Sequence, residues 1–188
     1  METTRPIWVT TYTEATFDVP SQASIPETPS TVLADIVKRI VAIEGPIHTD
    51  EIARRITTLW GQQRTGSRIA SAIQDAVSIA VGSGFVVEDN RFLCDRVASA
   101  MPVRCRDQVS SLTLRKPEMI PPSEIREAAQ RLTTDNVGIQ KEEVRNSVAR
   151  LMGFKTTSSQ LRDAIDDAIN RMIKEGQLTH RENKLFMP

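Results

Sequence analysis

The sequence predicts an α+β chain, mainly α with small β-hairpins, made of two tandem winged helix-turn-helix units related by internal duplication. Three observations carry that expectation. A shift of 92 positions lays the stretch from Gly45 to Cys94 on a later one without a gap: Ile47 falls on Ile139, Glu51 on Glu143, Leu59 on Leu151, Gly61 on Gly153, Ser67 on Ser159, Ala76 on Ala168, Gly84 on Gly176 and Leu93 on Leu185. Within each copy, apolar residues recur at helical spacing in successive stretches. Each copy then closes on two short apolar runs around a polar turn, the pattern of a hairpin that would form the wing.

Taken in order, residues 1–30 read as an extended N-terminal arm, rich in Thr, Ser and Pro, that packs through Ile7-Trp8-Val9 and Tyr12. Residues 31–97 are the first winged helix. Ser30-Thr31 can cap a helix carrying Leu33, Ile36, Val37, Ile40 and Val41, and Gly45-Pro46 stops it. Ile47-His48 is a very short extended piece. Thr49 or His48 caps a second helix striped by Ile52, Ile56 and Leu59 and ended at Gly61. A third helix starts at Thr65-Gly66-Ser67, turns Ile69, Ile73, Ala76, Val77 and Ala80 inward, and closes at Gly82-Ser83-Gly84. Phe85 to Val87 and Arg91 to Leu93 are the wing strands, with the turn at Glu88-Asp89-Asn90. Residues 98–121 connect the units, and the alternation of Val103, Cys105, Leu112 and Leu114 predicts short strands there. Residues 122–188 repeat the plan: a helix capped by Ser123, a strand at Gly138-Ile139, helices from Glu142 to Met152 and from Thr157 to Lys174, and a wing from Gln177 to Phe186.

Composition narrows the function classes. The 188 residues, 39% hydrophobic at a mean hydropathy of −0.28, suffice for two small cores. Lys and Arg number 24, as do Asp and Glu, so no global field draws the chain to nucleic acid or to an anionic membrane; such a contact needs a local patch. Cys94 and Cys105 fit neither a disulfide framework nor a metal-ligand spacing, which predicts small half-buried thiols in a reducing cytoplasm. No apolar run approaches the roughly 20 residues that span a bilayer, and no leader pattern opens the chain.

Enzyme chemistry finds no support. The sequence has no Gly-rich phosphate loop with Lys, no HExxH and no nucleophile elbow, so no catalytic residue, metal ligand or cofactor is expected. His48 beside Glu51 reads as a cap or packed ring rather than an acid/base pair, and His180 falls in an exposed wing. DNA binding is the natural use of a winged helix, the third helix entering the major groove while the wing rests on the backbone. In the first copy the outward face of that helix shows Ser67, Arg68, Ser71, Gln74, Asp75 and Ser78. Arg64, Arg54, Arg55 and Arg91 flank it, and Thr65-Gly66-Ser67 offers backbone N–H groups to a phosphate. The expected DNA contacts are therefore Arg54, Arg55, Arg64, Thr65, Gly66, Ser67, Arg68, Ser71 and Arg91. The second copy shows Ser159, Asp163, Asp166, Asp167 and Asn170, an acidic stripe that repels phosphates and leaves only edges such as Lys155, Arg162, Arg181 and Lys184. Arg104, Arg106, Arg115 and Lys116 either extend a basic track or keep an edge strand soluble, and the second reading is favoured.

The segments EGPIH, LWGQQRTGSRI and LRKPEMIPPSEI, with the closing winged pattern, resemble the uncharacterised C-terminal domain of large bacterial superfamily-one helicase-like proteins that carry a very-short-patch-repair-like nuclease domain. The likeness runs from about Thr31 to the end and is sharpest from Glu44 to Arg68. It implies a non-catalytic accessory module of a DNA-processing system, with DNA and the helicase or nuclease portion as partners, and assigns no catalytic residue. Thr156-Thr157-Ser158-Ser159-Gln160 replaces Arg64-Thr65-Gly66-Ser67-Arg68 in the second copy. Two other functions fit the same residues: a protein-docking module without DNA contact, and a free-standing transcriptional regulator.

Overall fold

The computed structural model describes residues 5–20, 22–97 and 101–188; the expected arm residues 1–4 and 21 and the expected linker residues 98–100 lie outside the described residues. Among the described residues the fold is α+β, with six α-helices and small sheets. In chain order come β1 (Val9–Thr11), α1 (Ser30–Glu44), β2 (Ile47–His48), α2 (Thr49–Leu59), α3 (Ser67–Gly82), β3 (Val86–Asp89), β4 (Phe92–Asp95) and β5 (Val103–Cys105). There follow α4 (Pro122–Thr134), β6 (Ile139–Gln140), α5 (Lys141–Leu151), α6 (Ser159–Lys174), β7 (Thr179–Arg181) and β8 (Lys184–Phe186). The chain divides into an N-terminal unit, Thr13–Ser99, and a C-terminal unit formed by Met1–Tyr12 with Ala100–Pro188. None of the helices is long and apolar enough to cross a membrane among the described residues.

In the N-terminal unit, Leu33, Ile36, Val37, Ile40 and Val41 on α1, Ile52 and Ile56 on α2 and Ile73, Ala76, Val77 and Ala80 on α3 close on one core with Val86 and Leu93 from the hairpin. Ile69 sits half-buried at its edge. The sheet order is β2-β4-β3, with Ile47 opposite Leu93. His48, not Thr49, caps α2: its Nδ1 accepts the Asp50 N–H at 3.2 Å. Helix α1 starts at Ser30, earlier than the capping pattern suggested, behind Pro29. The later part of the expected arm belongs to this unit. Ala15 and Ile25 are buried in its core, Ile25–Glu27 form a 3-10 turn, and the Trp60 Nε1–H donates to the Ala23 carbonyl at 3.0 Å.

The C-terminal unit has the same order of elements, a sheet β6-β8-β7 with Ile139 opposite Leu185, and a core of Ile125, Val144, Val148, Leu161, Ile165, Ile169 and Leu185. Leu161 is wholly buried, deeper than Ile69. Its first helix begins at Pro122 behind Pro121, so Ser123 is not the cap. The first hairpin turns later than expected. Asn90 and Arg91 (φ 49° and 68°) and Glu182 and Asn183 (49° and 63°) form two-residue turns in the left-handed region, which lengthens β3 to Asp89. Such turns match the right-handed twist of the flanking strands even where no glycine is present.

The connecting segment and the start of the chain differ most from expectation. β1 pairs in parallel with β5, Val9 opposite Val103, so the first part of the arm is a strand of the C-terminal unit. Leu112–Arg115 is a 3-10 turn rather than a strand. Arg104 and Arg106 were expected on a solvated edge and are instead buried against Glu124 in the first turn of α4. The Arg104 backbone N–H and the Arg106 Nη1 reach Glu124 Oε1 at 2.6 and 3.0 Å, and the Arg104 and Arg106 Nη2 groups reach its Oε2 at 3.0 and 2.7 Å. Tyr12, placed by its N–H bond to the Cys105 carbonyl, lays its ring 4.7 and 4.9 Å from the two guanidinium groups. Cys105 is buried, which pushes its thiol pKa up; Cys94 is half-buried.

Two predictions follow from this packing. Burial alone pushes the Glu124 carboxyl up, but the charges of Arg106 and Arg104 and their hydrogen bonds outweigh it and hold it below the usual carboxylate range. Its contribution is therefore complete above the unfolded value of about 4.3 and is lost as pH falls through the folded value. Melting followed by circular dichroism should show the C-terminal unit weakening below about pH 4. Glu124→Gln, which leaves two buried guanidinium groups uncompensated, should cost about 3–5 kcal/mol at neutral pH and flatten that dependence. The second concerns Gly61 and Gly153, which end α2 and α5 at φ 67° and 91°. A Cβ at Gly61 would meet nothing within 4 Å, whereas one at Gly153 would press on the Asp107 and Arg106 backbone nitrogens at 2.7 and 2.9 Å. Gly61→Ala should cost about 1 kcal/mol and Gly153→Ala clearly more; equal losses in urea unfolding would refute the close approach.

Candidate nucleic-acid interface

The turn from α2 to α3 is fixed from both sides. The Gln62 N–H donates to the Thr57 carbonyl at 2.9 Å, and the Thr57 and Thr65 hydroxyl oxygens lie 3.0 Å apart, so Thr65 helps hold the turn. Gly66 occupies the N-cap position of α3 and no side chain caps the helix, leaving the first-turn N–H groups turned outward with a partial positive charge. They border an open hollow of about 410 Å³ lined by Ser24, Glu27, Gln62, Ser67, Arg68 and Ile69 among others. Arg64, Gly66, Ser67, Arg68 and Ser71 are all exposed. Neither Arg64 nor Arg68 forms an ion pair within 4.0 Å among the described residues.

The remaining expected contacts separate. Arg54 is half exposed, 3.4 Å from Glu51 Oε2. Arg91 stands at the hairpin tip, 65% exposed, with its Nη2 3.0 Å from Asp50 Oδ1, so its charge is partly met. Arg55 does not reach the surface. It is buried among Glu44, Glu14 at 2.9 Å and Glu51 at 3.9 Å, and although burial opposes its charge, its carboxylate bonds hold its pKa above the ordinary value. It is a core cation and is removed from the interface. His48 is a cap, as above, and His180 is exposed on β7. Among the described residues no group of three His, Cys, Asp or Glu side chains is placed to hold a metal ion.

One acidic wall of the hollow was not anticipated. Glu27 accepts the Ser24 N–H and hydroxyl at 3.2 and 2.7 Å; these bonds hold its carboxyl below the usual range, and the Arg68 charge adds to the effect. The signal was present in the sequence as Ser24-x-x-Glu27, the spacing of a capping box, in a stretch read as an arm.

The matching face in the C-terminal unit is built differently. Ser158, at the position of Gly66, accepts the Leu161 N–H at 3.2 Å and so caps α6. Asp166 accepts from Arg145 Nε and Nη2 at 3.1 and 2.9 Å and lies 3.5 Å from Lys141 Nζ, which neutralises the centre of the acidic stripe from α5. Asp163, Asp167, Lys155, Arg162, Arg181 and Lys184 are exposed.

A family described as "Protein of unknown function (DUF3320)" matches residues 24–71, about a quarter of the chain, running from the Ser24–Glu27 turn through α1 and α2 to the first turn of α3. No curated protein and no solved structure matches the chain. The matched stretch contains both the uncapped helix start and the acidic residue beside it, so the chain is similar to an uncharacterised family over the part that forms the candidate interface.

Proposed function

We propose that the chain is a non-catalytic accessory module of a DNA-processing system, working with a helicase or nuclease portion in the cytoplasm, and that it binds or positions duplex DNA through its N-terminal unit. Both units are taken as winged helices descended from one ancestor. The repeated order of helix, short strand, two helices and hairpin, in the same 92-residue register, supports that descent. The observation that carries the DNA assignment is the uncapped start of α3 with Arg64 and Arg68 exposed beside it, donors and charge suited to a phosphate. Arg54 and Arg91 flank that contact from α2 and the wing, while Ser71 lies one turn further along the exposed face.

A protein-docking role is favoured by a different observation. Phe85 and Val87, two residues apart and so on one face of the wing, are 62% and 43% exposed. Docking without DNA contact would leave duplex DNA unshifted at low salt while a helicase or nuclease partner is retained.

Gel-shift titrations of duplex DNA across salt test the DNA role. Arg64→Ala with Arg68→Ala should weaken binding about tenfold or more near 50 mM salt and reduce the log–log salt slope by about 2, since each lost phosphate contact removes about 0.9. Unchanged binding by the double variant would overturn the assignment. Glu27→Gln removes a negative charge from the same hollow and should tighten binding by about threefold, an effect that shrinks as salt screens it.

A further inference from the structure

In the C-terminal unit the turn from α5 to α6 borders two adjoining hollows, of about 530 and 200 Å³, that share Asp107, Gly153, Phe154 and Lys155. Their floor is rigid. Gly153, at φ 91°, lets the chain leaving β5 pass against it; the Arg106 N–H donates to the Met152 carbonyl at 3.0 Å, and the Phe154 N–H closes the turn on Ala149 at 3.0 Å. Leu132, Leu151 and the half-buried Phe154 ring give the larger hollow an apolar wall.

The charge around that wall is one-sided. Arg115 is held by backbone carbonyls, its Nε donating to Arg106 at 3.1 Å and its Nη2 to Asp107 at 2.7 Å, so it is positioned but not neutralised. Arg150 donates to the Ser147 hydroxyl at 3.3 Å, and Lys155 is exposed. The carboxylate of the shared rim, Asp107, already lies 3.0 Å from Arg5. Arg150 and Lys155 thus line the larger hollow beside Phe154, Leu132 and Leu151, while Arg115 lines the smaller one, and among the described residues none of the three forms an ion pair.

We propose that this site binds a nucleotide, its base against Phe154 and its phosphate on Arg150 and Lys155, which line the same larger hollow. An aromatic plane beside unneutralised cations is the combination that holds unpaired bases, and the space suits a small ligand rather than a duplex. The same chemistry is offered by a free nucleoside phosphate and by an unpaired residue of a single strand. This site is separate from the DNA face of the N-terminal unit and does not rest on it.

The test uses the full chain and a labelled oligothymidine of about 12 nucleotides, read by fluorescence anisotropy at low salt, with thymidine monophosphate as competitor. Phe154→Leu, which keeps an apolar side chain in the turn, should weaken binding about tenfold by removing the stacking plane. Arg150→Ala with Lys155→Ala, both exposed and not needed for the core, should weaken it similarly and lower the salt slope by about 1–2. The Arg64→Ala, Arg68→Ala variant should retain the same affinity. Competition by the monophosphate assigns the site to free nucleotides, and its absence assigns it to strands. No binding at low salt, equal binding by all variants, or equally Phe154-dependent binding of a labelled acidic peptide would overturn the proposal.

Discussion

Glu124 takes the Arg104 N–H and the guanidinium groups of Arg104 and Arg106 in the interior of the C-terminal unit, and its charge tolerates burial only while all of them stay in place. That requirement links three distant parts of the sequence. The first turn of α4 supplies the carboxylate, β5 and the residue that follows it the cations, and Tyr12, just after β1, the ring that covers them. Ion pairs of this kind add little net stability over an apolar core of equal volume, yet losing one partner strands the others, so they select a single arrangement. The N-terminal unit uses the same device at a different place. Glu44, at the end of α1, accepts the Ala15 N–H at 2.9 Å and pairs with Arg55. In both units an extended segment that precedes the first helix is held to the core through a buried carboxylate.

This explains why a count of arginines overstates the charge available at the surface. Arg55, Arg104 and Arg106 each serve a carboxylate inside a unit, and Arg115 is committed to carbonyls at a turn. The cations to which the two proposals assign an anion are local: Arg64 and Arg68 at the start of α3 in one unit, Arg150 and Lys155 by the turn after α5 in the other. A chain with zero formal net charge can carry such sites because its interior pairs remove charge of both signs equally.

The helices were legible because burial imposes a period, and Ile52, Ile56, Ile73, Ala76 and Val77 obey it. The buried arginines were not, because residue type places arginine at the surface and only pairing across the chain reverses that. The β1–β5 pairing was hidden for a related reason. A three-residue parallel strand has no local signature, and its partner lies over ninety residues away. The turn of the first hairpin was misplaced because Asn90-Arg91 adopts left-handed conformations without the glycine that usually announces them. At the candidate site the exposed face of α3 was read from helical periodicity, while Glu27 was missed because its segment carries no periodic pattern.

The two turns that join the second helix to the third show where the two units differ. In the 92-residue register Gln62-Gln63-Arg64 of the N-terminal unit stands where Phe154-Lys155-Thr156 stands in the C-terminal unit, and uncapped Gly66 stands where Ser158 caps α6. Asp166, which draws Arg145 and Lys141 to α6, corresponds to Gln74, and those two cations correspond to Ala53 and Thr49. The N-terminal unit thus keeps donors at its helix start and, among the described residues, no ion pair between its second and third helices, the arrangement on which the proposed phosphate contact rests. In the C-terminal unit the centre of that face is neutralised from within at Asp166, and the aromatic ring and lysine sit at the turn instead. The two turns are therefore distinguished by a cap, an aromatic ring that packs against the edge of the C-terminal core, and a charge cluster between α5 and α6.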